Sequence, residues 1–412
     1  MRVLITCHPG LSHLDTMSSL TAPMEEAGHT VAYATARSFV GTVEKAGFEA
    51  FAAGRDWHMS RPETLRELHS APARAGGIAV FAGLAQQGMV DDLISLAGRW
   101  KPDVIVRETM EFGGWIAAES LGIPVATSNL SHFILPAPLL SMFTGDTLTR
   151  QLPAQYGLDP DPQLERLYDS PYLHAAPSSL DLPGWEPPSR VFRYRSDAFE
   201  STDGSGTPTP GAGSPASQLA WLDDFRELPI VHVSLGTVWN HTEFGHRANE
   251  VILEGLRDLP VNVVLVVGPE GDPQSYGARP DNVRIEKFIA PYQGFLSQCQ
   301  ILVSHGGYRT VVQATVAGLP MCFAPLKGDQ PVVASRFAEL GLGLNLAAVP
   351  GDRRPFPVID LDHFQPLQVR DAVQRVLADA TYRGNVEALR DETAALPPAA
   401  AAVSWLADVV GA

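Results

Sequence analysis

The stretch Ile301-Leu-Val-Ser-His-Gly-Gly-Tyr-Arg-Thr310, continuing through Gln313 to Gly318-Leu-Pro320, decides how this chain is read. Its first four residues are apolar or small and form a buried strand. A polar, glycine-rich turn follows, then a helix whose apolar positions recur at Val311, Val312 and Val316. Gly306 and Gly307 let the backbone come close to a ligand. The first amides of a helix have no partner inside it, and the dipole adds partial positive charge, so this corner suits a diphosphate. His305 and Thr310 each bring a donor for phosphate oxygens. The competing assignment is a satisfied loop histidine and a capping threonine.

Outward from this corner the alternation of strand and helix continues. Apolar runs at 230–234, 261–267, 283–286 and 321–324 read as strands, with helical patterns between them such as 248–256. Upstream, residues 201–215 form a Gly/Ser/Pro/Thr-rich run that cannot bury a core. Before that run the alternation occurs once more. Strands are expected at 3–7, 31–34, 48–52, 104–106 and 125–128. A loop is expected over 8–15, then a helix to about Ala27, one capped by Ser38 and one from about Glu111. Residues 55–90 and 132–180 are less regular. The pattern gives an α/β fold of two Rossmann-like domains, 1–200 and 218–412, joined by a flexible linker at 201–217. Residues 403–410 form a final amphipathic helix. Open parallel sheets bind ligands beyond the C-terminal ends of their strands. His13, Glu108, 235–237 and 304–310 all fall at such ends.

Composition narrows the function classes. A chain of 412 residues with 45% hydrophobic and 18% charged residues is an ordinary globular protein of two or three domains. A net charge of −16 argues against nucleic-acid or anionic-membrane binding. Cys7, Cys299 and Cys322 lie in or beside apolar runs without metal spacing, which predicts reduced, buried thiols and a cytoplasmic protein. Residues 1–7 read as a strand, not a signal sequence, and no stretch is apolar and long enough to span a bilayer. Motifs for NAD, P-loop, zinc-protease and serine-hydrolase chemistry are missing from the sequence. The D-x-D matches Asp159-Pro-Asp161 and Asp360-Leu-Asp362 sit in loop-like, Pro-rich surroundings and argue little for metal binding.

His13 is the best general-base candidate. A neutral imidazole can take a proton from a hydroxyl, and a carboxylate on its other nitrogen fixes the tautomer and stabilises the imidazolium. Glu108 or Glu111 could supply that carboxylate. His8 competes less well, because Pro9 follows it at the very end of the strand. The bland assignment for His13 is a loop histidine against the sheet edge.

Over nearly its whole length the chain resembles the family 1 GT-B glycosyltransferases, including those of actinobacterial natural-product biosynthesis. The resemblance rests on His305-Gly-Gly-Tyr-Arg-Thr310, Ala317-Gly-Leu-Pro320, Gly328-Asp-Gln-Pro331, Val233-Ser-Leu-Gly-Thr237 and Gly28-His-Thr-Val31 with Ala46-Gly-Phe48. It implies a GT-B fold, with two facing Rossmann-like domains, a cleft between them and a C-terminal helix packing back. It also implies His13 as the base and Glu108 where the family usually has aspartate. His305, Gly306, Gly307, Thr310 and Thr237 would hold the diphosphate, Asp329 and Gln330 the donor sugar, and Phe288 with the Ile289 backbone the nucleobase. From the residues alone Phe288 could be core, Thr237 a turn residue and Asp329 a helix cap.

The chain also departs from the family pattern. The usual G-H-x-x-P loop is Ser12-His-Leu-Asp-Thr16, and Arg309 stands where glycine is common, aimed at phosphate or outward. Gln313 occupies the position of a ribose-binding glutamate in uridine-nucleotide relatives, which favours a dTDP-sugar. Trp57, Met59, Phe81, Phe133 and Phe143, in the irregular segments, suit an apolar aglycone such as a polyketide, or are simply core. The expected activity is metal-independent, inverting transfer with no cofactor beyond the nucleotide sugar. The expected partners are that donor and a small apolar acceptor, with a homodimer as one possible assembly. A sugar-nucleotide epimerase of the same architecture and a non-catalytic nucleotide-sugar-binding protein are the alternatives.

Overall fold

The computed structural model describes residues 1–58, 61, 63, 64, 78–199, 219–225, 227–236, 240, 242–349, 351, 354 and 356–411, with the side chains at 78, 79, 81, 84, 142 and 143 also left aside. These residues form two units, one made of Met1–Ser196 with Ala395–Ala412, the other of Asp197–Ala394. The segment 395–412, placed with the second domain from the sequence, is therefore part of the first unit. The expected linker at 201–217 lies outside the described residues.

The first unit holds a parallel sheet of seven strands in the order β3-β2-β1-β4-β5-β6-β7. The strands are β1 (Arg2–Thr6), β2 (Thr30–Thr35), β3 (Glu49–Ala52), β4 (Val104–Glu108), β5 (Val125–Asn129), β6 (Tyr172–His174) and β7 (Val191–Arg193). Its main helices are α1 (Leu11–Glu26), α2 (Arg37–Lys45), α3 (Met89–Trp100) and α4 (Gly113–Leu121). Both sheet faces are covered, which is why the central strands are almost continuously apolar. Val3 and Ile5 face Met17 and Leu20 of α1, together with Val403 and Leu406 of the segment 395–412. Leu4 faces the other way, into a core shared with Leu93, Trp115 and Ile116. Each such fully buried aliphatic side chain contributes about 1.5–3 kcal/mol of transfer free energy.

The second unit repeats the scheme with six parallel strands in the order β10-β9-β8-β11-β12-β13. They are β8 (Ile230–Ser234), β9 (Asn262–Val266), β10 (Val283–Glu286), β11 (Ile301–Ser304), β12 (Met321–Phe323) and β13 (Gly343–Asn345). The helices used below are α5 (Glu243–Leu256), α6 (Tyr308–Val316), α7 (Gln330–Glu339) and, returning to the first unit, α8 (Ala399–Val410). Among the described residues no single helix is long and apolar enough to cross a membrane.

Several local assignments differ from the sequence expectation. Helix α1 starts at Leu11, so the loop after β1 is only about half as long as expected from the 8–15 reading. Ser38 does not cap α2; its backbone amide lies inside the first turn and donates to Asp56 Oδ1 at 2.8 Å. A distant aspartate satisfies this end of the helix, a partner that sequence adjacency does not reveal.

Candidate active site

The order of each sheet reverses direction at one place, between β1 and β4 in the first unit and between β8 and β11 in the second. Such a reversal leaves a crevice beyond the strand ends, because the connections on either side leave in opposite directions. In the first unit Thr6 of β1 is in register with Arg107 of β4, so the residues just past β1 lie beside Glu108, the last residue of β4.

Three side chains meet there. His13, in the first turn of α1, pairs through Nδ1 with Glu108 Oε2. His8 Nδ1 lies 3.0 Å from the other oxygen, Oε1. Glu108 and His8 are buried, whereas the His13 side chain is 32% exposed. Burial alone would push the Glu108 carboxyl up, but the imidazoles of His13 and then His8 more than reverse this and hold it well below the usual carboxylate range. Trp57, also buried, sets its ring edge-on to His8 at 5.1 Å between centroids.

Glu111 has a different task. Its carboxylate accepts from the backbone amides of Gly113 (2.6 Å) and Gly114 (2.9 Å) and from Thr6 Oγ1. It satisfies the open first turn of α4, so the choice left open in the sequence falls to Glu108 as the partner of His13. Arg107 supports the same corner. Its fully buried guanidinium reaches the carbonyls of Glu108, Thr109 and Glu111 at 2.8–2.9 Å and lies over the Phe112 ring. His8 and Arg107 are the residues that sequence reasoning undervalued. The signal for His8 was its position beside His13 at a strand end, set aside because of Pro9. His8, His13 and Glu108 are the one His/Cys/Asp/Glu group among the described residues with donor atoms within 4.8 Å of one another. Each polar contact in it is histidine to carboxylate, a hydrogen bond at His13 and an ion-pair approach at His8.

In the second unit Ser304 of β11 is in register with Ser234 of β8, and His305 follows directly. The His305 ring is buried and lies against two glycines. A Cβ on Gly236 would meet its Nε2 at 2.6 Å, and one on Gly307 at 2.4 Å. Gly306 has φ +92°, a left-handed conformation that side-chain-bearing residues rarely adopt. So all three glycines are required here, two by the imidazole and one by the backbone. Burial pushes His305 down to about 4, partly offset by a hydrogen bond with the Ser234 backbone, and it is therefore a neutral dipole at pH 7.

Gly307 begins α6 without a side-chain cap, and Thr310 lies half-buried in its first turn. Arg309, in the same turn, is paired with Asp197 at 3.0 Å. Gln330 Oε1 accepts from the Leu326 and Lys327 amides at 2.9 and 3.0 Å and so fixes the loop before α7. Asp329 stands at the N-cap position of α7, with helical backbone angles and no side-chain cap bond. Phe288 is 66% exposed, which removes the core assignment, while Ile289 is buried. Gln313 is half-buried on α6.

Phe133 is fully buried. Thr237 and Met59, and the side chains of Phe81 and Phe143, lie outside what the structure describes. Asp161 caps a short helical turn through the Glu165 and Arg166 amides, and Asp360 bonds His363 and the Asp362 amide, so both D-x-D matches are turn features. All three cysteines are buried and unpaired with one another, and burial raises each thiol.

Residues 23–155 match the family described as "Erythromycin biosynthesis protein CIII-like, N-terminal domain", and residues 250–409 match its C-terminal domain. The chain is 28% identical to 4'-demethylrebeccamycin synthase of Lentzea aerocolonigenes, over 99% of both chains. It is 25% identical to the 3-alpha-mycarosylerythronolide B desosaminyl transferase of Saccharopolyspora erythraea, over 98% of this chain and 97% of that one. The solved structure of the glycosyltransferase VinC in complex with dTDP superimposes with a TM-score of 0.73 at 24% identity, covering 100% of both chains. The chain belongs to the family 1 GT-B natural-product glycosyltransferases.

Proposed function

We propose that this glycosyltransferase moves a deoxysugar, with inversion at the anomeric carbon, from a dTDP-sugar to a hydroxyl of an apolar natural-product aglycone. The observation that carries the proposal is the pairing of His13 with the buried Glu108 carboxylate. With Nδ1 donating to Glu108, the Nε2 lone pair is left to take the acceptor proton as the acceptor oxygen attacks the anomeric carbon. Glu108 then stabilises the imidazolium. One displacement by the acceptor inverts the configuration.

The leaving diphosphate gains charge as the bond breaks. The open amides at the start of α6, with His305, Thr310 and Thr237, are the donors proposed to meet it. Fixed dipoles of this kind take the place of a metal ion in the proposal. His305 contributes a dipole and not a charge, since it is neutral at working pH. Phe288 and the Ile289 backbone are proposed to receive the base, and Asp329 and Gln330 the sugar hydroxyls. The dTDP assignment has support from Gln313 and from the bound nucleotide named for VinC. The apolar acceptor has support from the acceptor in the desosaminyl transferase's name and from Trp57 beside His8. The reading needs no cofactor beyond the nucleotide sugar and fits a cytoplasmic enzyme.

The test incubates the wild-type protein and His13→Ala with dTDP- and UDP-sugars, with and without a library of hydroxylated aglycones, and follows products by mass spectrometry. Acceptor-dependent glycoside made by the wild type and lost in the variant, with dTDP binding retained, is the expected result. Donor isomerisation without acceptor would replace the proposal with an epimerase, and glycoside of retained configuration would overturn the single displacement.

A further inference from the structure

His13 has one histidine neighbour that the reaction as described does not use. His8 follows directly on Cys7, is 3% exposed, and places Nδ1 3.0 Å from Glu108 Oε1. Its ring lies 6.0 Å from that of His13, and the Trp57 edge closes its other side at 5.1 Å. The two oxygens of one buried carboxylate are thus divided between two imidazoles. A glutamate has one more rotatable bond than an aspartate, and a carboxylate held at a single oxygen can swing about its terminal bond. A second contact removes that freedom. It also draws part of the carboxylate's charge, which weakens the pull of Glu108 on a proton carried by His13.

We propose that His8 is a positioning residue: its hold on Glu108 Oε1 fixes the rotation of the carboxylate, aims Oε2 at His13, and shares the negative charge between two imidazoles. The proposal rests on the reading of His13 as the base. Among the described residues, the other titratable or charged groups around the cluster leave this role to His8. Cys7 is a buried thiol raised first by burial and then by Glu108, hence neutral. Arg107 is committed to three backbone carbonyls, and Glu111 to the α4 amides and Thr6. His58 is held below its ordinary value by burial, then by Arg61 and His13, and so adds no positive charge at pH 7.

The experiment is a histidine NMR titration of the ligand-free protein, paired with pH profiles of kcat and kcat/KM. His8→Phe keeps the ring against Trp57 and removes the donor, whereas His8→Asn restores a donor near the Nδ1 position. In His8→Phe we expect the His13 titration and the acid limb of kcat/KM to move to higher pH. We also expect kcat at neutral pH to fall about ten-fold, the scale of one hydrogen bond to a charged group, with KM for the donor unchanged. His8→Asn should return both toward wild type.

An identical His13 titration in wild type and His8→Phe would overturn the proposal. A uniform fall in kcat at every pH with no shift of the limb would also overturn it, leaving only a packing role. A shifted His13 titration in a protein whose sugar transfer survives His13→Ala would support the shared carboxylate while removing His13 as the base.

Discussion

The same sheet reversal occurs twice in this molecule, and its two instances are chemically opposite. At the β1/β4 reversal the chain gathers ionisable groups, with two histidines on a buried, ionised Glu108 and an arginine bracing the loop. At the β8/β11 reversal it gathers space. There Gly236, Gly306 and Gly307 surround a buried, neutral His305 at the open start of a helix. In the proposed mechanism the first arrangement moves a proton, which needs a group that can change charge near neutral pH. The second, in the same proposal, receives a charge that comes and goes with the ligand, which calls for fixed dipoles and close backbone approach. One topology supports both because it dictates only where the strand ends lie.

The contrast can be broken most directly by His13→Ala. It should lower kcat by about a hundred- to ten-thousand-fold, the usual worth of general base catalysis, while dTDP binding measured by calorimetry stays unchanged. Gly307→Ala should have the next largest effect. The added Cβ would lie 2.4 Å from His305 Nε2, so the ring or the loop must move. We expect dTDP affinity to fall roughly ten-fold or more and stability to fall by about 1–3 kcal/mol, with the His13 titration unmoved. A loss of the His13 pairing in that variant would show that the two reversals are not independent.

Acid stability separates the same two regions. His305 is pushed down to about 4 when folded, against an ordinary value of 6.5, so below 6.5 the unfolded chain takes up a proton that the folded one refuses. Stability should therefore fall as pH drops from 6.5 toward 4, and His305→Gln should flatten that part of the urea-unfolding profile. Glu108 is depressed when folded, so its contribution is present above its ordinary value near 4.5 and is lost only as pH falls below that. A smaller effect is expected from Gln313→Glu. If the glutamine favours dTDP, the variant should shift the ratio of dTDP to UDP affinity toward UDP by several-fold, the scale of one neutral hydrogen bond exchanged for a charged one. The smallest is chelation. Prolonged EDTA treatment should change the transfer rate by less than about two-fold if dipoles alone hold the diphosphate.

The fold was largely legible because buried parallel strands such as 230–234 and 301–304 leave long apolar runs in the sequence. Strands β6, β7 and β13 were missed; each has three residues and ends on a polar one (His174, Arg193, Asn345), so it lacks the apolar run that made the equally short β12 legible. The β11 corner was legible for a similar reason, since its histidine and glycines are contiguous. The β1/β4 corner was only half legible. Its members come from residues about a hundred positions apart, and nothing in the sequence separates a carboxylate that caps α4 (Glu111) from one that meets a histidine (Glu108) three residues earlier. Arg107 could be read only as a strand-end charge until its three carbonyl partners were in place.

The position of α8 bears on how the molecule is made. Ala399, Ala402, Val403 and Leu406 complete the core behind α1, whose first turn carries His13. The whole of the second unit lies between α1 and α8 in the chain. During synthesis the sheet of the second unit can emerge and close while the unit that carries His13 still lacks one wall of its core. The first 196 residues, expressed alone, would be an unfinished domain with an exposed apolar groove along α1. For this protein, the order in which parts are translated and the order in which they can become stable are not the same.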